Sequence, residues 1–256
     1  MKLIATLSSL FFSVLFAVIF FVAIPHHVSA QNLTGVVNHV TTVKKYVALT
    51  FDADMTPKML YMLKSKKVSS WYNGQVINTL IREQVPATLF LTGMWVETYP
   101  TVTTKLSQNP LFEIGNHSYS HPAFSAPCFK LGTVGELSDT EEMTRTENSL
   151  AKYTSHHTHY FRFPGLCADS EDIALARSLG YTIIGGDVHG NDGFSHDTQS
   201  IITHILSQVT SGSIVVLHMM GGPNAPNTAD ALPIIIKTLR DKGYTFVTVS
   251  DLLRYK

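Results

Sequence analysis

The chain has 256 residues, 45% of them hydrophobic, enough to bury one large core, and a single principal domain is the expectation. Lys and Arg together number 19, as do Asp and Glu, so the formal charge is zero and nothing draws the protein toward a polyanion. Nucleic acid is therefore excluded as an expected partner.

Lys2 precedes an apolar run from Leu3 to Ile24, and Val28-Ser29-Ala30 ends in the small residues that a signal peptidase accepts. Residues 1–30 read as a signal peptide or as an uncleaved membrane anchor, because the run approaches the ~20 residues that span a bilayer. Either way the rest of the chain is expected outside the cytoplasm, secreted or anchored, touching a membrane only through this segment. Asn32-Leu33-Thr34 fits an N-glycosylation sequon, a pattern common by chance. Residues 31–45 are polar with scattered Val, a linker or an irregular lead-in strand, and 46–256 are expected to form the folded domain.

Tyr46 to Phe51 is a short apolar, β-branched run of the kind that makes a buried parallel strand, and it ends at Asp52-Ala53-Asp54. Thr56 and Pro57 then announce a helix as N-cap and first residue. A helix over 76–83 leads through Pro86 into a second strand over 87–91. Further strands are expected over 111–115, 159–163, 181–185, 214–217 and 244–249, with helices over 141–153, 171–179, 198–209 and 229–242. Repeated β-then-α units imply an α/β fold, a distorted (β/α)7-type barrel of mainly parallel strands whose closure would leave no sheet edge.

In such folds the chemistry gathers where strands end. Those ends carry Asp52 and Asp54, His117 and His121, Arg162, Asp187 to Asp192, and His218. His117 and His121 stand at i and i+4, within reach of one divalent ion on a helical turn or tight loop, and a third ligand has to come from elsewhere. Plainer readings exist for each. Asp52 and Asp54 suit a cap for the helix at Pro57, Arg162 a structural ion pair, and His218 a satisfied buried imidazole. His156, His157 and His159 read as a solvated turn ahead of a strand, away from the site, and His189 and His196 as loop residues. Trp71, Tyr72 and Trp95 read as packing, although Trp71-Tyr72 also suits stacking on a sugar ring.

Thr50-Phe51-Asp52-Ala53-Asp54, His117-Ser118-Tyr119-Ser120-His121, Arg162-Phe163-Pro164-Gly165, Asp192 and Val215-Val216-Leu217-His218 fall in the order of the five motifs of polysaccharide deacetylases. From about Lys45 to the C-terminus the chain resembles this family, the carbohydrate esterases with NodB homology. The resemblance implies a metal-dependent hydrolase that removes N-acetyl groups from a polysaccharide or oligosaccharide of peptidoglycan or chitin type. Asp54, His117 and His121 would hold the metal, Zn²⁺ foremost, with Co²⁺ or Ni²⁺ as alternatives. Asp52 would act as base on a water activated by the metal, paired with Arg162, and His218, oriented by Asp192, would protonate the leaving amine. The Gly165 N–H would meet the oxyanion, and Val216 and Leu217 would line a pocket for the acetyl methyl.

Two departures from the family pattern bear on these roles. Family members mostly carry adjacent aspartates, whereas Ala53 separates Asp52 from Asp54, so either could be the ligand. The fourth motif usually ends Asp-Trp, but Gly193 and Phe194 follow Asp192, leaving that wall open or built by Phe194; Asp187 is the runner-up for the Asp192 role. An O-acetyl esterase, another metal-assisted amidohydrolase and a non-catalytic glycan-binding relative remain as alternatives. Cys128 and Cys167 each follow a motif by a few residues, which suits either a bridge or two free thiols. Oligomeric state is not legible in the sequence.

Overall fold

The computed structural model describes residues 35–135, 137–154 and 156–255. The expected signal or anchor segment and the sequon lie outside them. Among the described residues no helix is long and apolar enough to cross a membrane.

In chain order the elements are β1 (Val36–Val37), β2 (Tyr46–Ala53), α1 (Pro57–Lys64), α2 (Gly74–Arg82), β3 (Ala87–Leu91), α3 (Gly93–Thr98), α4 (Pro100–Ser107) and β4 (Phe112–Asn116). Then follow α5 (Asp139–Tyr153), β5 (Tyr160–Phe161), α6 (Ser170–Ser178), β6 (Thr182–Ile184), β7 (Val188–His189), α7 (Thr198–Gln208), β8 (Ser213–His218), α8 (Thr228–Asp241), β9 (Thr245–Phe246) and α9 (Val249–Leu253). The local signals hold where they are strong: Thr56 caps α1, its side chain accepting from the Met59 N–H, with Pro57 first in the helix. α3 and α4 were not anticipated, because Thr98, Thr101, Thr103 and Thr104 give the segment weak helix propensity. The strand expected to reach Val249 stops at Phe246, and Thr248 instead caps α9.

The strands form one parallel sheet in the order β1-β6-β5-β4-β3-β2-β8-β7, with β9 also paired to β2. This is the expected parallel (β/α) architecture, curled into a half-barrel, with one difference: the ladder has two ends and does not run as a continuous ring. The lead-in segment spans part of the gap. β1 pairs with β6, and two residues later His39 bridges Ser213 at the start of β8, while the Val40 N–H donates to the Gly212 carbonyl.

Central β2 is buried on both faces. Val47, Leu49, Phe51 and Ala53 pack in the main core with Val215 and Leu217 of β8 and with residues of α2 and α8. Ala48 packs on the other face with Phe90, Ile184, Ile214, Val249 and Leu252. Alternation along the strands puts Thr50 and Asp52 on that second face, together with Val216 and His218 of β8. Asp52 lies opposite His218 in the β2–β8 register, so the parity of two neighbouring strands sets carboxylate and imidazole side by side.

Candidate functional site

Asp54 follows β2 by one residue, and His117 follows β4 directly. The donor atoms of Asp54, His117 and His121 all lie within 4.8 Å of one another, and all three side chains are buried. Asp54 Oδ1 stands 3.5 Å from His117 Nε2 and 3.4 Å from His121 Nε2, yet it has no hydrogen-bond partner. A buried carboxylate oxygen is seldom left unpaired, because desolvating it without a partner is costly. Two imidazole nitrogens and one carboxylate oxygen converging on such an orphan are the donor set of a divalent ion such as zinc.

The tautomer suits that set. His117 Nδ1 donates to the Arg162 carbonyl at 2.8 Å, which leaves the Nε2 lone pair facing inward. Burial drives the His121 pKa down to about 4, with repulsion from His117 and His218 adding to it and outweighing the pull of Asp54, so the ring is neutral near pH 7. Burial opposes the charge of Asp54, but His121, His117 and His218 outweigh it and hold the carboxyl below the ordinary range. A neutral imidazole and an ionised carboxylate are what a cation needs.

The histidine stretch is a tight loop, not a helical turn, and Ser118 and His121 take left-handed φ values of 66° and 60°. Each such residue costs on the order of 1 kcal/mol. Buried Glu142 of α5 offsets that cost by accepting from the N–H groups of Tyr119 (2.8 Å) and Ser120 (2.7 Å) and from Ser120 Oγ (2.6 Å). Asn116 Oδ1 accepts from the Ser118 N–H, and its amide donates to the Met143 carbonyl and to Tyr181. Tyr119 OH donates to Glu97 of α3 at 2.8 Å and accepts from Arg145 of α5. Glu142 carries no motif and could be found only by knowing that the first turns of α5 pack on this loop.

Asp52 belongs to the same cluster. Its Oδ1 accepts from Arg162 Nη1 at 2.6 Å, and its Oδ2 lies 3.6 Å from His117 Nε2. Fully buried Arg162 stacks on Phe90, its Cζ 4.1 Å from the ring centroid, and also donates to the Gly185 and Ile184 carbonyls. Asp192, equally buried, accepts from both the backbone N–H and the Nδ1 of His218 at 2.8 Å, and from Thr228 Oγ1 at 2.6 Å. The second ring nitrogen of His218 is thereby freed. Burial alone would lower the His218 pKa, but the charge and hydrogen bond of Asp192, helped by Asp54 and Asp52, raise it to about 10.

Other expectations sort by position. Cys128 and Cys167 form a disulfide that ties the loop after the histidines to the turn at Gly165. Gly165 has φ 62°, and a Cβ there would come within 2.6 Å of Cys128 Sγ, so only glycine fits. Val216 shares the face of His218, whereas Leu217 packs in the main core with Leu49 and Phe51, and the structure does not bring it to the site. Asp187 sits at the opposite end of β8, accepting from the Ile214 N–H, Ser213 Oγ and His39 Nδ1, and is no substitute for Asp192. His157 is no solvated turn: its Nε2 pairs with Glu147 at 2.8 Å. Trp71 and Trp95 are buried packing residues, and the Trp95 indole N–H donates to the Trp71 carbonyl.

The sequence pattern of the family described as polysaccharide deacetylase matches residues 39–184, more than half of the chain. The chain belongs to the polysaccharide deacetylase family. A peptidoglycan-N-acetylglucosamine deacetylase of Bacillus cereus is 29% identical over 83% of this chain and 90% of its own length. Among solved structures, a peptidoglycan N-acetylglucosamine deacetylase bound to a naphthalenyl N-hydroxybenzamide superposes with TM-score 0.71 over 86% of this chain and 92% of that one, at 24% identity. A pseudoenzyme of the same esterase family from Bacillus anthracis superposes with TM-score 0.66 at 21% identity, covering 84% of this chain and 68% of that one. Family membership supports a glycan deacetylase, and the side chains at the strand ends bear on whether this member is competent.

Proposed function

We propose that the protein is a metal-dependent N-deacetylase, a hydrolase of carbon–nitrogen bonds other than peptide bonds, acting outside the cytoplasm on a glycan of peptidoglycan or chitin type. One observation carries this reading: the orphaned, buried Asp54 Oδ1 between two inward-facing imidazole nitrogens. A divalent ion held by Asp54, His117 and His121, most reasonably Zn²⁺ with Co²⁺ or Ni²⁺ able to replace it, supplies Lewis acidity that polarises a carbonyl and acidifies water.

This chain's residues do the rest. Asp52, anchored by Arg162 through one oxygen, offers the other to take a proton from the attacking water. The Gly165 N–H is the donor assigned to charge developing on the carbonyl oxygen. His218, kept protonated and aimed by Asp192, delivers a proton to the departing nitrogen. Val216 gives the acetyl methyl an apolar wall on the same face. The apolar run before Ala30 supports export, and the names of the similar bacterial relatives support a cell-wall glycan.

The test is acetate release from N-acetylglucosamine oligomers and from peptidoglycan, with acetylxylan alongside. Release from the amide substrates that a chelator abolishes and added Zn²⁺ restores is expected. Release from acetylxylan alone would replace this reading with an O-acetyl esterase, and a metal-free protein indifferent to Asp52→Asn would replace it with a non-catalytic glycan binder.

A further inference from the structure

Phe129 and Phe194 are 70% and 68% exposed, with ring centroids 5.2 Å apart and planes inclined by 34°. Each leaves in water an apolar area that burial would have stabilised, and together they make a patch where most exposed apolar residues stand singly. They come from two loops, one beside Gly165 and the other beside His218. Phe129 follows disulfide-bonded Cys128, and a Cβ at Gly165 would lie 3.3 Å from its ring. Phe194 follows Gly193, where a Cβ would lie 3.2 Å from His218 Cε1. The pair thus runs from the Gly165 turn to the imidazole of His218. Phe129 is held at φ 49°, an unusual conformation for an aromatic residue, within a turn closed by the Leu131 N–H on the Cys128 carbonyl.

We propose that Phe129 and Phe194 form an aromatic platform for a pyranose ring of the glycan, next to the sugar whose acetamide reaches Asp54, His117 and His121. The inference rests on the glycan reading above. Continuity with the site argues for a sugar: Phe129 abuts the Gly165 turn and Phe194 follows the glycine that abuts His218, so a polymer with one ring at the histidines extends past this pair, and the C–H faces of a pyranose match exposed aromatic faces. The Cys128–Cys167 bridge then has a second role, since it fixes the loop that carries Phe129 to the turn that carries Gly165.

The experiment compares the zinc-loaded protein with the Phe129→Ala/Phe194→Ala double variant and the Phe129→Trp/Phe194→Trp double variant. Substrates are tetra-N-acetylchitotetraose and 4-nitrophenyl acetate, which carries no sugar ring to stack on the pair. The alanine pair is expected to lose about tenfold more kcat/KM on the tetrasaccharide than on the ester, mostly through KM, and the tryptophan pair to recover it. Equal losses on both substrates, or none on the tetrasaccharide, overturn the platform. Should the wild-type protein release no acetate, calorimetric titration with the same tetrasaccharide separates the two readings. Binding weakened about tenfold by the alanine pair upholds the platform while the hydrolase reading fails, and binding that is absent or indifferent to the variant overturns it.

Discussion

Arg162 Nη1 donates to Asp52 Oδ1 at 2.6 Å with both side chains buried, so a single oxygen of Asp52 is left to face the histidines. The guanidinium is itself gripped by two backbone carbonyls and by the face of Phe90. The arrangement is a positioned carboxylate more than a source of stability, because desolvating both charges cancels much of their attraction.

Removing either partner should therefore be costly in different currencies. Arg162→Ala leaves a buried carboxylate uncompensated and is expected to destabilise the fold by about 3–5 kcal/mol in a denaturant titration. Arg162→Lys should recover little of this, since an ammonium cannot satisfy three acceptors in a plane. Asp52→Asn should lower acetate release by about 10²–10⁴-fold while retaining bound zinc, whereas Asp54→Asn should lose the zinc. Retention of metal by Asp54→Asn with loss from Asp52→Asn would exchange the two roles.

The pair Asp192–His218 carries a pH dependence whose sign follows from the raised pKa. The folded state favours the imidazolium, so its stabilisation is complete below the unfolded pKa of about 6.5 and is lost as pH rises toward about 10. Metal-free protein should accordingly lose stability between pH 7 and 10, and Asp192→Asn should flatten that slope. In the loaded enzyme the same variant should move the alkaline limb of kcat/KM toward lower pH. An alkaline limb that does not move would remove His218 from the role of acid.

Glu142 holds the loop between the two histidines without touching the site. Glu142→Ala strands three donors beside residues already in left-handed conformations, and a roughly tenfold or greater loss of zinc affinity is expected by competition with a chelating dye. Glu142→Gln, which keeps an acceptor oxygen, should fall between. Zinc affinity equal to wild type in the alanine variant would show that the loop holds itself.

Gly165 and Gly180 provide a controlled comparison, since both have positive φ, 62° and 87°, but only Gly165 has a neighbour where a Cβ would go. Gly180→Ala should cost only the conformational penalty of about 1–2 kcal/mol. Gly165→Ala should cost more and also lower kcat, because the turn must shift away from Cys128. Equal losses of stability at both positions would mean that the turn absorbs the clash.

Much of the fold was legible because its signals are local: β2 ends in its aspartates, and Thr56-Pro57 begins α1 as its residue types require. The two short helices after β3 were not, since packing against α5 and not propensity makes them helical. Val216 and Leu217 are neighbours on a strand and cannot share a face, so parity alone excludes one of them from the site. The resemblance ranks Asp192 ahead of Asp187, and the contacts decide between them: Asp192 pairs with His218, whereas Asp187 pairs with the start of β8.

By itself the sequence determined which chemistry-bearing residues exist and that they fall at the ends of parallel strands, because strand runs and their boundaries are encoded within a few residues. Only the tertiary structure decided that Asp54 Oδ1 is buried without a partner between two imidazole nitrogens, that Glu142 clamps the histidine loop, and that Phe129 meets Phe194. Each of those contacts joins segments distant along the chain, and their distances depend on how the sheet curls and which loops the disulfide holds together.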